Sequence, residues 1–483
     1  MSDYKHPQGN IFYRRMQQNH PLIVHGDGVY LYDAAGKRYL DGSGGAIVVN
    51  VGHGVKSIAD AIARQAGQAA YIHGSMFTSE VLEKYAEALG DIVPLPNPKF
   101  YFLTSGSEAV EAAIKLARQI HLERGENKRY ITISRWMSYH GITLGALAVT
   151  GKEKMRAAFK PMFKDMPHIQ PPFCYRCPFG LQKDTCQIAC ADVLEDEILN
   201  HGAENVSAFL AEPISGNTLG AVVPPDGYWP RIREICDQYG VLLIADEIMT
   251  GMGRTGKWFA VEHWNLTPDI ITIGKGAASG YFPLSIVATK GEYVALIARG
   301  SGNFNHGGTF SHHAVGGAAG LATLDYLKAN QLVERAAESG KYIRKMFIKK
   351  LGNLSCVGDI RGTGMMWGVE FVQDKSSQQP FDPQFHFSQK VTDEAFERGL
   401  IIYPESRCID GIAGDHFMFA PPFIITESQI EASLEIILDS IEAVQSSTLR
   451  STLHTPLHPP RSAPRITFPS RHHSHRLTHK DSL

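Results

Sequence analysis

Between about residues 51 and 325 the chain alternates short apolar runs with amphipathic stretches. The runs KFYFLT, RYITIS, VSAFLAEP, VLLIAD and DIITIG have the length of strands, and VLLIA is apolar at every position. That pattern belongs to parallel strands covered on both faces. The intervening EAVEAAIKLARQIHLER and GYWPRIREICDQYG repeat apolar residues at helical spacing. Strand and helix in alternation predict an α/β fold with a mostly parallel, doubly wound sheet over 51–325. Ahead of it, DGVYLYDAAGKRYLDGSGG alternates apolar and polar residues around a turn and predicts a hairpin. From 326 to 446 the long amphipathic QLVERAAESGKYIRKMFIKKL and SQIEASLEIILDSIEAV flank GMMWGVEFV, which predicts a smaller α+β domain. Residues 447–483 are rich in Ser, Pro, His and Arg without a periodic apolar face, and are expected to be a disordered tail.

Length changes this picture little, since 483 residues accommodate two or three domains. Charge narrows the partners: 47 basic against 49 acidic residues leave a net −2, so neither a nucleic acid nor a membrane surface is expected. No apolar run reaches the roughly 18 residues that span a bilayer. The opening MSDYKHPQGN has no apolar signal core and is not an Arg-rich transit helix, so a cytoplasmic location is expected. Seven cysteines do not make a disulfide scaffold. Four cluster in CYRCPFGLQKDTCQIAC (Cys174, Cys177, Cys186 and Cys190), and their spacing resembles a compact zinc site. The second pair departs from standard spacing and the loop is short, so reduced thiols are the expectation and no metal is assigned. The tail histidines read as solvated.

Three stretches carry chemistry. In YFLTSGSEAVEAAIKLAR an apolar strand meets Thr104, Ser105, Gly106 and Ser107 and then a helix. Ser105 and Glu108 have the spacing of a capping box. Exposed N–H groups, a glycine and hydroxyls at a helix start make a phosphate cradle. Asp246 ends VLLIAD, at the carboxyl end of a predicted strand, where open α/β sheets bind ligands. A buried acid there requires a cation. Lys275 ends another strand in PDIITIGKG, where burial penalises its charge. Together the three could hold a phosphorylated heteroaromatic aldehyde, with the acid on the ring nitrogen and the lysine on the aldehyde.

Eight stretches, in this order, resemble the class-III (ω-type) aminotransferases of fold type I over roughly 10–446: DGSGGAIVVNVGHG, TSGSEAVEAAIKLAR, SYHG, AEPISGNTLG, ADEIMTGMGRTG, PDIITIGKG, GGTFSHHA and GDHFMFAPP. The subgroup labelled "aspartate aminotransferase family" is similar also through CYRCPFGL, a label that does not fix aspartate as substrate. The resemblance implies pyridoxal 5'-phosphate as cofactor, held by a large domain (51–325) and closed by a small domain formed from 1–50 and 326–446. It implies that Lys275 forms the internal Schiff base and moves the proton, and that Asp246 keeps the pyridine nitrogen protonated. Gly106 and Ser107 match the phosphate turn, Tyr139 and Ile248 the residues on the two ring faces, and Glu212 a polar residue of the floor. Thr309 matches the residue that reaches the phosphate from the second subunit of a homodimer with shared active sites. His140 is expected to be a structural hydrogen-bonder.

The chain departs from the family at Met249, where many members carry a Gln that contacts the ring hydroxyl. No arginine immediately precedes Gly414-Asp415, and Arg407 is the nearest candidate for a substrate carboxylate. The implied function is transamination from an amino acid or ω-amine donor to an oxo acid or aldehyde. The same scaffold also supports lyase, decarboxylase, racemase and aminomutase chemistry, since the cofactor provides the electron sink for all of them. A non-catalytic binding protein is disfavoured because Lys275, Asp246 and the phosphate turn are all present. A nicotinamide-binding protein is disfavoured because GTGMMWG lacks the full dinucleotide pattern.

Overall fold

Three sheets account for the strands of residues 9–452, the part of the chain that the computed structural model describes apart from 17, 19 and 410. The hairpin read near the start forms from β1 (Ile23–Asp27), β2 (Tyr30–Asp33) and β3 (Arg38–Asp41), an antiparallel run in which Tyr30 pairs with Leu40.

The central sheet uses every strand named above: β4 (Lys99–Leu103), β5 (Ile131–Arg135), β6 (His168–Ile169), β7 (Val206–Ala211), β8 (Leu242–Asp246), β9 (Ile270–Ile273) and β10 (Ser285–Thr289). Their spatial order is β4-β10-β9-β8-β7-β5-β6. β9, β8, β7, β5 and β6 pair in parallel, while β10 runs antiparallel to both β9 and β4. Strands β7, β8 and β9 are buried at every residue, the burial that continuous apolar runs require. The helices Gly106–Glu123 and Tyr228–Tyr239 fall on the two stretches read as helical.

Beyond the helices Ala314–Ala329 and Leu332–Leu351, β11 (Val357–Thr363) and β12 (Met366–Phe371) open a third sheet. β13 (Leu400–Ile401) returns to pair in parallel with β3, so the N-terminal hairpin and a strand some 360 residues later share a sheet. β14 (Tyr403–Ile409) and β15 (Ala413–Phe419) complete the order β11-β12-β15-β14. The expected boundary at 325 lies within the helix Ala314–Ala329. The described residues up to 444 group as one compact unit. The last helix runs Glu427–Thr452. It therefore continues through 447–452, where an irregular tail was expected, because helical hydrogen bonding propagates past the apolar face that nucleates it. The rest of the expected tail lies outside the described residues.

Candidate active site

The phosphate turn forms where β4 hands over to the helix Gly106–Glu123. Ser105 is its N-cap: Oγ accepts from the Glu108 N–H at 3.3 Å, and the Glu108 carboxylate accepts from the N–H groups of Ser105 (2.9 Å) and Thr104 (3.0 Å). The capping box read from the sequence is thus present, and it fixes the positive end of an 18-residue helix at Gly106 and Ser107. Ser107 Oγ accepts from the Ile142 N–H at 3.0 Å, which ties the turn to the segment carrying Tyr139 and His140.

Asp246 closes β8 and is 4% exposed. Its Oδ1 accepts from the Ile248 N–H (3.2 Å) and from the hydroxyl of Thr272 (3.1 Å), its in-register neighbour on β9. Its Oδ2 lies 2.7 Å from His140 Nδ1. A carboxylate has about four acceptor positions. Three are used, and one on Oδ2 remains for a further donor. His140 acts here as the hydrogen-bonder expected of it. Thr272 is a residue that the sequence reading passed over. Its signal was a single hydroxyl inside the otherwise apolar IITI.

Lys275 follows β9 by two residues and opens a short 3-10 turn, Lys275–Ala277, with φ 42°. A left-handed backbone at a non-glycine residue is strained and persists only where surroundings enforce it. The side chain is half-buried. Burial pushes its amine down to about 8, against the pull of Asp246 and Glu212, and the positive charge of Arg254 lowers it further. Ile248 joins the parts. A Cβ on Gly106 would lie 3.0 Å from its Cδ1, and a Cβ on Gly274 would lie 3.2 Å from its Cγ2. A side chain at either position would press on that isoleucine, so the two glycines let the phosphate turn and the Lys275 turn close on it.

Glu212 is 5% exposed, with Oε1 accepting from the Gly216 N–H at 3.2 Å and Oε2 3.9 Å from Arg135 Nη2. Burial raises its pKa, His140 and Arg135 oppose this, and Asp246 adds to it. Burial also raises the Tyr139 phenol, opposed by Arg14 and reinforced by Tyr403 and Asp246. The structure therefore brings Lys275, Asp246, Glu212, Tyr139, Ile248 and the Gly106–Ser107 turn to one place, at the carboxyl ends of β7, β8 and β9.

Thr309 is not drawn into this cluster within one chain. It is exposed on the surface beside Phe310, whose ring meets Tyr71 edge-on at 6.3 Å. Met249 packs its sulfur over Gly216, an apolar contact in place of a hydrogen bond. Arg407 is exposed on β14 at φ 69°.

The cysteines Cys174, Cys177, Cys186 and Cys190 line one small cavity as unpaired thiols. Burial pushes Cys190 up to about 12. Among the described residues no group of three or more His, Cys, Asp or Glu side chains is arranged to hold a metal ion. No helix among them is long and apolar enough to cross a membrane.

This site fits pyridoxal phosphate on three counts. A capped helix start with glycine offers N–H groups suited to a phosphate, a buried carboxylate keeps an acceptor position free, and a lysine amine is held short of full protonation. Comparison with known proteins agrees. The sequence model of class-III aminotransferases matches residues 12–441. The uncharacterized aminotransferase YodT of Bacillus subtilis is 37% identical over 428 residues, covering 89% of this chain and 96% of that protein. A thermostable (S)-enantioselective ω-transaminase from Thermomicrobium roseum superposes with a TM-score of 0.84 at 35% identity, covering 90% and 96% of the two chains. An aminotransferase from Vibrio fluvialis, solved in a PMP-bound form, superposes with a TM-score of 0.84 at 27% identity over 91% and 97%.

Proposed function

Because the chain belongs to the class-III aminotransferase family, we propose that its reaction centre is Lys275 with Asp246 and the Gly106–Ser107 turn. The enzyme is a pyridoxal-phosphate-dependent transaminase, moving an amino group from an amino acid or ω-amine donor to an oxo acid or aldehyde acceptor. When bound, pyridoxal phosphate supplies an aldehyde that condenses with amines and a protonated ring that accepts the electron pair left at the donor's Cα.

The rest is the work of this chain. Lys275 needs a neutral Nζ to attack a carbonyl, and an amine with a pKa of about 8 offers one near neutral pH far more often than an ordinary lysine at about 10.4. Once displaced by the donor, the same Nζ carries the proton away from Cα. Asp246 would hold a proton on the ring nitrogen through its free acceptor position, and His140 and Thr272 fix the carboxylate in place for it. Gly106, Ser107 and the helix start would hold the phosphate. Ile248 and Tyr139 would cover the two ring faces, with Glu212 at the floor.

The active unit is a homodimer in which Thr309 of one subunit completes the other's phosphate site. Its support is the exposure of Thr309 beside Phe310, whose exposed ring meets the exposed Tyr71, apolar surface of the kind that protein interfaces cover. Cytoplasmic placement is supported by the seven unpaired thiols.

One observation carries the reading: a desolvated lysine amine and a buried carboxylate lie on adjacent strand ends, joined by Ile248 to a capped helix start. The test is borohydride reduction of the purified protein with pyridoxal phosphate, followed by peptide mass spectrometry. The expected result is cofactor mass on Lys275, with no transamination and no labelling in Lys275→Ala. Cofactor fixed on another lysine, or turnover by Lys275→Ala, overturns the assignment. An amino-donor screen at the cofactor's absorption bands then identifies the substrate, and stoichiometric conversion by donor alone separates transamination from racemisation.

A further inference from the structure

The turn that carries Lys275 is held from behind by two buried residues that the chemistry above leaves unused. Asn50 is 1% exposed. Its N–H donates to Ser279 Oγ at 2.8 Å, and its carbonyl accepts from the Phe423 N–H at 2.8 Å. Its Nδ2 donates to the Met252 carbonyl at 2.9 Å, and its Oδ1 accepts from Arg254 Nη2 at 2.5 Å. The Val51 N–H reaches the same Ser279 Oγ at 3.1 Å. Asn50 also presses on Gly276, where a Cβ would lie 2.4 Å from Nδ2. It therefore grips the residue after Lys275 and the residue four positions beyond it. Ser279, like Lys275, has a left-handed backbone. Two strained residues in one short turn need such an external hold.

Arg254 is 0% exposed. Its Nη1 donates to the carbonyls of Met365 (3.1 Å), Ala420 (3.1 Å) and Pro421 (2.7 Å), and its Nη2 to the Val49 carbonyl (3.2 Å) as well as to Asn50. The guanidinium also lies 4.7 Å over the Phe423 ring. These partners take up both Nη groups, while the buried Nε–H has none, and no carboxylate among them cancels the charge, so its field persists in a poorly screened interior. A guanidinium stays protonated even where burial pushes its pKa down.

We propose that Arg254 and Asn50 are positioning residues for Lys275: Asn50 fixes the strained turn, and Arg254 both fixes Asn50 and opposes protonation of the Lys275 amine. The inference rests on the reading of Lys275 as the reactive amine. The charged groups facing Lys275 are Asp246 after β8 and Glu212 after β7, which favour its protonation, and Arg254, which disfavours it. His140 lies against Asp246, and Asp41 pulls on Arg254 from the N-terminal sheet.

The test uses full-length Arg254→Gln, Arg254→Lys and Asn50→Ala. Each is examined for thermal melting, for kcat and KM of the cofactor-loaded enzyme against pH, and for the pH midpoint of Lys275 acetylation by acetic anhydride in cofactor-free protein. Arg254→Gln is expected to move the midpoint upward and to lower kcat at neutral pH by about tenfold, within the range that small misplacements cost. Arg254→Lys keeps the charge and is expected to restore the midpoint. Asn50→Ala keeps the charge but releases the turn, so kcat falls with KM and the midpoint little changed. A lowered melting temperature with wild-type midpoint and wild-type kcat overturns the proposal, leaving only a structural role. Should Arg254→Gln fail to fold, wild-type kcat in Asn50→Ala overturns it equally. Loss of borohydride trapping at Lys275 in the wild type would instead sink the underlying assignment, and the two failures are thereby distinguished.

Discussion

At the scale of single residues, Asp246 matters more through its surroundings than through its charge alone. Its three hydrogen bonds hold one oxygen ready, and an amide cannot reproduce that arrangement. Asp246→Asn is expected to lower kcat by about 10²–10³, the loss typical of removing a preorganised electrostatic partner. His140→Ala should cost less, since it removes only the support; steady-state kinetics at saturating donor would rank the two. Lys275 gives a signed pH dependence. Its pKa of about 8 means that activity rises as pH climbs through that value. The folded pKa lies below the unfolded one of about 10.4, so the buried charge penalises the fold fully below about pH 8, and the penalty fades as pH approaches 10.4. In cofactor-free protein Lys275→Met is therefore expected to melt at a higher temperature than wild type at pH 7, with the gap closing by pH 10. A gap that does not change with pH would contradict the burial of a titrating amine.

At the scale of elements, the site is a product of strand ends. β8 and β9 run in parallel register, so Asp246, the last residue of β8, and Thr272, the last but one of β9, become neighbours and Lys275 follows just beyond. The helix Gly106–Glu123 starts beside them because Ser105 and Glu108 cap it. Ser105→Ala is expected to lower stability by about 1 kcal/mol in urea unfolding. It should also weaken pyridoxal phosphate binding, because the freed first turn no longer presents ordered N–H groups. Unchanged cofactor affinity would separate the cap from the cradle.

At the scale of the whole molecule, one chain lacks the group expected to finish the phosphate site, since Thr309 faces outward. If two subunits share their sites, mixing Lys275→Ala with Thr309→Ala subunits creates dimers holding one intact site and one doubly damaged site. Activity in the mixture should then exceed that of either variant alone. Additive activity with no gain, or a monomer by sedimentation, would exclude sharing.

Local order was legible in the chain wherever one short segment decides it. Strands buried on both faces announce themselves as unbroken apolar runs such as VLLIA, and the capping box is written in Ser105 and Glu108, because both depend on residues a few positions apart. Lys275 and Asp246 stood out for the same reason, as charges at the ends of apolar runs. What the sequence could not disclose depends on distant segments meeting. Thr272 turns to Asp246 only through strand pairing. Asn50 reaches Arg254 across 204 positions and then braces Gly276. Neither contact has any periodicity to read, because packing, and not local spacing, brings those atoms together.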